Sequence, residues 1–282
     1  MSNRTEFVAV VRVACFCCGV NPRGKHLVTK LILSGVSWLV LGLLAASAAP
    51  FAQAQAKQGL LYGYTSDWTF PIAQWDAFSK AVEASRPIKE RLIADGTLLS
   101  WGADVSIVNT PDGFTHSEWV QARSLENLMK AINALSITTI APPYTVATKH
   151  ADALYVTLLN NNGGTASASS GFLAVSLWSV KTGRDQEFEA LFKKYYQPWL
   201  DQMVAQGSAL RYTFNTSIVH TGPPGLYSFG VVLRDEASYD KFGANVRTML
   251  EQNSALHDSL KEITAMEDSR DKLFRMLAYQ HK

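Results

Sequence analysis

Two stretches of the chain alternate apolar and polar side chains with a period of two. The apolar positions of these stretches are Leu99, Trp101, Ala103, Val105 and Ile107, and Leu210, Tyr212, Phe214, Thr216 and Ile218. The polar positions between them are Ser100, Gly102, Asp104 and Ser106, and Arg211, Thr213, Asn215 and Ser217. Because successive side chains of a strand point to opposite faces, each stretch predicts a strand with one apolar and one polar face.

The two stretches also share a spaced motif. Pro87, Gly96 and Ser106 recur 111 positions later as Pro198, Gly207 and Ser217, and S-I-V-x-T stands at 106–110 and 217–221. Several matches in one register predict an internal duplication. The variable position of the motif is Asn109 in the first copy and His220 in the second.

Each half predicts the same order of elements: strand, helix, strand, strand, helix. The helices carry apolar residues at helical spacing, Gly96 and Gly207 mark helix ends, and Ser124 and Asp235 stand at N-cap positions. A final strand would complete a ferredoxin-like βαββαβ unit. Its candidates are 137–141 and, in the second half, part of the 262–280 tail, which also has a helical pattern.

These elements predict an α+β chain of two ferredoxin-like repeats, at 57–141 and 172–282, the second with a helical C-terminal tail. Residues 142–171 are predicted to connect them, ending in the Gly/Ser/Asn-rich linker at 160–171. The order of elements, with an interior Pro in the long helix and a Trp- or Tyr-bearing strand, resembles the dimeric α+β barrel superfamily, NIPSNAP-like members especially. The best local match is 177–212. The resemblance implies two ferredoxin-like sheets that pair into one barrel, here within one chain.

The N-terminus has the features of a secretory signal peptide. Lys25 and Lys30 precede a 14-residue apolar run at 31–44, and an Ala-rich segment follows it. We expect cleavage after Ala54 or Ala56, a true start near residue 27 or 28, and a periplasmic or secreted protein without a membrane anchor. The first 56 residues hold all three Cys, five of the 26 Lys and Arg and one of the 24 Asp and Glu. The remaining chain is therefore free of thiols and has a net charge of −2, which does not favour a nucleic-acid partner.

Three histidines are candidates for chemistry. His220 is a possible base or haem ligand at the barrel rim, or a loop residue. His150 either faces a cavity, if its segment is helical, or is a partly exposed structural residue. His116 and Glu118 share one strand face, so they form either a hydrogen-bonded acid–base pair or part of a solvated surface. No His pair has the spacing of a helical metal site, so neither a metal nor a cofactor is expected.

The polar faces and the aromatic residues predict a pocket. Asp104 and Arg211 form a plausible pair inside a closed barrel, where polar groups need partners. Trp101 and Tyr212 either line a pocket for an apolar ligand or belong to the core.

Three functions are compatible with these features. The first is binding, or cofactor-free conversion, of a small apolar or aromatic molecule. The second is a non-catalytic structural or interaction module of the cell envelope. The third, which the resemblance implies, is a haem-dependent enzyme with His220 or His150 as axial ligand. A homo-oligomer is also expected from the resemblance.

Overall fold

A computed structural model describes residues 60–108, 113–219 and 225–282 of the chain. Within them, the chain forms nine strands and six α-helices. The strands are β1 Leu61–Thr69, β2 Ser100–Ser106, β3 His116–Ala122, β4 Lys149–Asn162, β5 Ala166–Ala168, β6 Phe172–Ser179, β7 Ala209–Ser217, β8 Leu226–Leu233 and β9 Arg270–His281. The helices are α1 Trp75–Ala94, α2 Leu125–Ser136, α3 Asp185–Leu191, α4 Gln197–Ala205, α5 Glu236–Gln252 and α6 Ser254–Ile263.

Eight of these strands close into an antiparallel barrel. Their order is β2-β3-β1-β4-β7-β8-β6-β9, and the ring closes where β9 pairs with β2. The short strand β5 lies beside the ring and pairs with the end of β9. Closure leaves the eight strands without an unpaired edge, and register shifts interrupt three of their pairings.

The helices pack against the outside of the barrel, so each strand has one face toward a helix layer and one toward the barrel interior. Phe78 and Leu92 of α1 lie against Trp101 in the first helix–sheet core. Phe192 and Leu200 belong to the second core, which is formed with α3 to α6. A third, smaller cluster fills part of the interior and includes Leu173, Val232, Phe274, Met276 and Tyr279. The alternation of apolar and polar residues in β2 and β7 thus separates the helix side from the barrel interior.

The predicted helix boundaries are confirmed. Gly96 and Gly207 follow α1 and α4 with φ of 80° and 71°, a conformation that favours glycine because a Cβ would be strained. The Ser124 Oγ accepts a hydrogen bond from the Asn127 backbone N–H, and the Asp235 carboxylate accepts one from Ser238. Both side chains therefore cap the helices that follow them.

The last strand predicted for the first half and the connecting segment predicted at 142–171 are wrong. Residues 137–141 do not form a strand, because Ile137–Ile140 is a 3-10 helix. The fourth strand of the first half is β4, Lys149–Asn162, which lies within the predicted connecting segment. Part of the 262–280 tail does form the predicted strand, β9 Arg270–His281, whereas its helical pattern does not continue as an α-helix beyond the end of α6 at Ile263. Partners on both sides explain these strands, since β4 lies between β1 and β7, and β9 between β6 and β2.

The duplicated motif ends a strand in both copies. The Ser106 hydroxyl donates to the Val108 carbonyl, and the Ser217 hydroxyl donates to the Val219 carbonyl, each at 2.7 Å. Asn109 and His220, where the copies differ, lie outside the described residues, as do the predicted signal peptide and its cleavage sites. No helix in the described part of the chain is long and apolar enough to span a membrane.

Candidate functional site

A cleft of about 120 Å³ opens between the sheet and the helices of the first half; we call it the α2 cleft. Its sheet wall includes Tyr64, Ser66 and Trp68 of β1 and Glu118 of β3. These side chains share the helix-facing side of adjacent strands, because Ser66 is the cross-strand partner of Glu118. Ile132 and Leu135 of α2 form the apolar wall opposite.

His150 forms one side of the cleft and is held on three sides. Its ring stacks on Trp68 with a centroid distance of 3.6 Å and an interplanar angle of 11°. Its Nε2 lies 2.8 Å from the Ser66 Oγ and 2.8 Å from Asp152 Oδ1. Asp152 Oδ1 also accepts a hydrogen bond of 2.6 Å from the Tyr64 hydroxyl. The imidazole is 38% exposed, so it is oriented and yet open to a ligand.

Glu118 and Lys89 form a more deeply buried pair in the same cleft. Lys89 Nζ donates to Glu118 Oε1 at 2.6 Å, and its side chain is only 4% exposed. The Tyr144 hydroxyl donates to the other carboxylate oxygen, Oε2, also at 2.6 Å. The Lys89 ammonium further lies 4.8 Å from the centre of the Trp101 ring. The ion pair is thus fully hydrogen-bonded at its carboxylate and supported by an aromatic face.

The two tyrosine hydroxyls stay protonated at neutral pH. Burial raises the pKa of Tyr64 above its usual value, and the hydrogen bond to Asp152 raises it further. Burial raises the pKa of Tyr144, and the charge of Glu118 adds to that effect. Both hydroxyls therefore serve as hydrogen-bond donors to carboxylates.

This arrangement has the parts needed to accept a proton. A carboxylate that contacts one ring nitrogen of a histidine orients the ring and stabilises the imidazolium that forms when the ring gains a proton. Asp152 has that relation to His150, and Tyr64 and Ser66 fix both groups. The cleft therefore combines an oriented base with apolar and aromatic walls.

The predicted pairing of His116 with Glu118 is not formed. His116 is buried among Phe70, Phe78 and Trp75, and its Nδ1 lies 2.8 Å from the Thr115 hydroxyl. Burial lowers the pKa of His116 to about 4, so the ring is neutral at physiological pH. The two residues do share a face of β3, but Glu118 bonds to Lys89 and Tyr144 instead.

Asp104 and Arg211 both lie in the barrel interior, as their positions on the polar faces predicted, but they do not form a pair. Asp104 Oδ2 accepts a hydrogen bond of 2.9 Å from the Trp119 indole, and its Oδ1 has no partner in the described residues. Arg211 donates to the Ser100 hydroxyl and to the Gln121 side-chain carbonyl. Burial raises the pKa of Asp104 to about 8, so its neutral form predominates at neutral pH. A neutral carboxyl group gains no ion pair with Arg211.

Trp101 and Tyr212 occupy corresponding places in two separate cores and do not line one pocket. Both are fully buried on the helix side. The Trp101 indole donates to Gln280 at 3.1 Å, and the Tyr212 hydroxyl donates to Asp201 at 2.7 Å. Both therefore contribute to packing.

Sequence reasoning named two residues of the cleft, His150 and Glu118, and missed the others. Tyr64 and Ser66 lie at alternate positions of β1, and His150 and Asp152 lie at alternate positions of β4. The alternation with a period of two at 150–154 is the signal for a strand, but His150 and Leu154 also have helical spacing, which favours a helix. Lys89 comes from α1, and nothing in the sequence shows that it meets Glu118.

The described residues do not fit a haem. The corresponding cavity of the second half, lined by residues such as Trp178, Phe192 and Phe229, is about 10 Å³, enough for a single water molecule at most. The α2 cleft is smaller than the several hundred Å³ typical of sites for large ligands. Among the described residues, no group of three or more His, Cys, Asp or Glu is placed to hold a metal ion.

Solved structures with a similar fold share little sequence with this chain. A "putative monooxygenase" from Fusobacterium nucleatum has a TM-score of 0.59 at 12% identity, over 80% of this chain and 96% of its own. A "putative monooxygenase" from Lactobacillus acidophilus has a TM-score of 0.57 at 13% identity, over 78% and 96%. An "anthrone oxidase-like protein" has a TM-score of 0.51 at 11% identity, over 80% and 94%.

The fold is that of the dimeric α+β barrel superfamily. The fold-level resemblance stated from the sequence is thereby confirmed. No family model matches the chain, and neither does any curated protein. At these identities the likeness of the barrel structures shows the fold alone, and a fold does not select an activity.

Proposed function

We propose that the chain binds a small, single-ring aromatic molecule in the α2 cleft and removes a proton from it with His150 as the base, without a cofactor. The observation that carries this proposal is the cleft itself, in which an oriented His150–Asp152 pair borders an apolar and aromatic cavity. The similar barrel structures, two described as a "putative monooxygenase" and one as an "anthrone oxidase-like protein", are in keeping with chemistry on such molecules.

The size of the cleft supports a single ring. Apolar cavities of about 150 Å³ hold benzene, and the α2 cleft is close to that volume. Ile132, Leu135 and Trp68 supply apolar contacts, and Ser66 and His150 supply polar groups for a ring substituent such as a hydroxyl.

We further propose that the barrel arose by duplication of a ferredoxin-like unit, and the two halves then differ in the cleft. In the first half the ring order is β2-β3-β1-β4, and in the second it is β7-β8-β6-β9. The offset of 111 aligns Glu118 of β3 with Phe229 of β8, and their cross-strand partners are Ser66 and Ser176. On the next strand, Ser66 pairs with Asp152 and Ser176 pairs with Asp271, so these two aspartates align as well. The Ser176 hydroxyl donates to Asp271 at 2.6 Å, so the second half keeps this polar pair.

The second half lacks the groups that distinguish the first. The same matching aligns Tyr64 with Ala174 and Glu118 with Phe229. The offset of 111 aligns Lys89 with Leu200, and the strand register aligns His150 with Ser269. The His150 imidazole, the Glu118 carboxylate and the Lys89 ammonium thus occur in one half only, as we expect if one of two copies acquired a chemical function.

The proposed step is a single proton transfer. A ring nitrogen of His150 takes a proton from an acidic O–H or C–H group of the ligand, which leaves a phenolate or carbanion in the cleft. Asp152 stabilises the imidazolium, and Tyr64 holds Asp152 in place. The apolar wall of α2 excludes water from the anion.

The proposal is tested by binding and turnover of single-ring phenols and hydroquinones with residues 57–282. Binding is followed by tryptophan fluorescence, and turnover by the exchange of carbon-bound ligand hydrogens for deuterium in D2O. His150→Gln should reduce turnover about 100-fold or more while binding changes little, because a positioned base contributes about 10²–10⁴-fold. The matched control is His257→Gln on α6, which lies outside the cleft.

A second pair of variants tests the location. Ile132→Trp fills the cleft from α2 and should abolish binding, whereas Met129→Trp, exposed on the same helix, should not. Equal binding by both variants contradicts the site. No binding by the unmodified protein favours the non-catalytic module, and a Soret band after reconstitution favours the haem-dependent enzyme.

We also propose that the protein is exported after cleavage of the N-terminal segment and that it forms a homo-oligomer. Export rests on the signal-peptide features at 25–56. Oligomerisation rests on the superfamily resemblance alone, because one chain already closes the barrel. Light scattering of the mature protein measures its assembly state.

A further inference from the structure

A buried guanidinium without an acidic partner lies at one end of the barrel interior. Arg211 is 2% exposed and donates only to neutral groups, the Ser100 hydroxyl and the Gln121 side-chain carbonyl. Its Nε has no partner in the described part of the chain, and no described carboxylate forms an ion pair with it. A buried charge of this kind is costly unless a counter-charge compensates it.

The carboxylates of the interior are engaged elsewhere. Asp67 pairs with Lys272 at 3.4 Å and accepts a hydrogen bond from Ser117. Asp104 bonds to Trp119, and burial favours its neutral form. Neither compensates the charge of Arg211.

Further unsatisfied polar atoms lie at the same end. The Tyr279 hydroxyl and His281 Nδ1 have no hydrogen-bond partner among the described residues, although both residues are almost fully buried. Burial raises the pKa of Tyr279, and the nearby Arg211 guanidinium opposes that shift; burial lowers the pKa of His281 to about 4, and the Arg211 charge lowers it further. Both side chains therefore lie near the guanidinium. Asn162 is the cross-strand partner of Arg211, and its Oδ1 is also unsatisfied.

A segment of the Gly/Ser/Asn-rich linker covers this end of the barrel. The Gly163 backbone N–H donates to the Leu210 carbonyl, and β5 pairs with Tyr279 and His281. Ala166 and Ala168 pack against the interior cluster. Because β5 has only three residues and small side chains, its local opening costs little free energy and gives a route of entry.

We propose that this end of the barrel binds a small anion, a halide or a small oxyanion such as formate or nitrate, between the Arg211 Nε–H and the Tyr279 O–H. Asn162 can turn its amide and His281 can change its tautomer, so both can add an N–H donor. The anion supplies the missing counter-charge and satisfies donors that the fold leaves unpaired. The site is separate from the α2 cleft, which lies on the helix side of the sheet.

Thermal unfolding of residues 57–282 tests the proposal. Chloride, nitrate or formate replaces gluconate at constant ionic strength, and the Tm should rise with the concentration of at least one small anion. Tyr279→Phe keeps the guanidinium and should weaken that anion about 10- to 100-fold, the effect of losing one hydrogen bond to a charged group. Arg211→Gln should abolish the response, and the exposed control Arg234→Gln should retain it.

Location is tested by a crystal structure with bromide. An anomalous peak beside Arg211 Nε and the Tyr279 hydroxyl supports the site, whereas bromide at the surface only contradicts it. A Tm that no anion changes, or that anions raise equally in the protein and in Tyr279→Phe and Arg211→Gln, also overturns the proposal. Ligand binding in the α2 cleft is measured separately, so failure of one site leaves the other intact.

Discussion

At the scale of single residues, Glu118 is the counter-charge of the buried Lys89 ammonium in the cleft. Its two oxygens accept from Lys89 and Tyr144, and Lys89 is almost fully buried. Glu118→Gln leaves the ammonium without its counter-charge, so we expect the free energy of unfolding to fall by about 3 kcal/mol. Urea denaturation measures the change. The matched control is Glu83→Gln, which removes an exposed pair with Arg86 and should cost about 0.5 kcal/mol or less. Equal losses in both variants contradict the assignment.

Asp104 predicts a specific dependence of stability on pH. Burial raises its folded pKa to about 8, while an unfolded Asp titrates near 3.9. Between about pH 4 and pH 8 the unfolded chain loses this proton and the folded chain keeps it, so rising pH destabilises the fold. Asp104→Asn keeps an acceptor for Trp119 and removes the titration. We expect the variant to gain stability relative to the unmodified protein as pH rises to about 8, and to gain no more above it. A constant difference from pH 4 to 9 shows that the group does not titrate this way.

At the scale of elements, two glycines bring strands and aromatic rings close together inside the barrel. A Cβ at Gly102 of β2 would lie 2.5 Å from the Trp119 ring, and one at Gly63 of β1 would lie 2.0 Å from the Tyr155 ring. Gly102→Ala should therefore cost about 1–3 kcal/mol of stability, the usual effect of overpacking a core. Gly243→Ala in α5 meets open space and should instead stabilise by up to about 1 kcal/mol. Chemical denaturation of both variants measures the two effects, and a neutral Gly102→Ala contradicts the packing of the interior.

The sequence predicts elements with strong local patterns and misses those that depend on distant partners. The alternation in β2 and β7 and the glycines after α1 and α4 were sufficient for those elements. By contrast, β4 begins with four exposed residues and ends in three asparagines, a weak strand pattern, and it forms because β1 and β7 lie on either side. The cleft was missed for a related reason: Lys89, Glu118 and His150 come from three elements that only the closed fold brings together.

At the scale of the whole molecule, the chain closes a barrel by itself, and the α2 cleft lies beside its first four strands in ring order, β2-β3-β1-β4. Export remains a prediction, and it concerns residues outside the described ranges. We expect expression of the full chain in a bacterial host to give a mature protein that begins at Gln55 or Lys57, because Ala54 and Ala56 each end an A-x-A pattern. N-terminal sequencing of the periplasmic fraction identifies the cleavage site. An intact apolar run at 31–44 in the recovered protein contradicts cleavage.

The central claim, that the α2 cleft binds a single aromatic ring beside His150, is tested most directly by a crystal structure of residues 57–282 with 4-bromophenol. Bromine can be located by its anomalous scattering, independently of the protein density. We expect a bromine peak in the cleft between Trp68 and α2, with the phenol oxygen within hydrogen-bond distance of His150 or Ser66. A bromine peak only elsewhere on the protein, with the cleft empty, would contradict it.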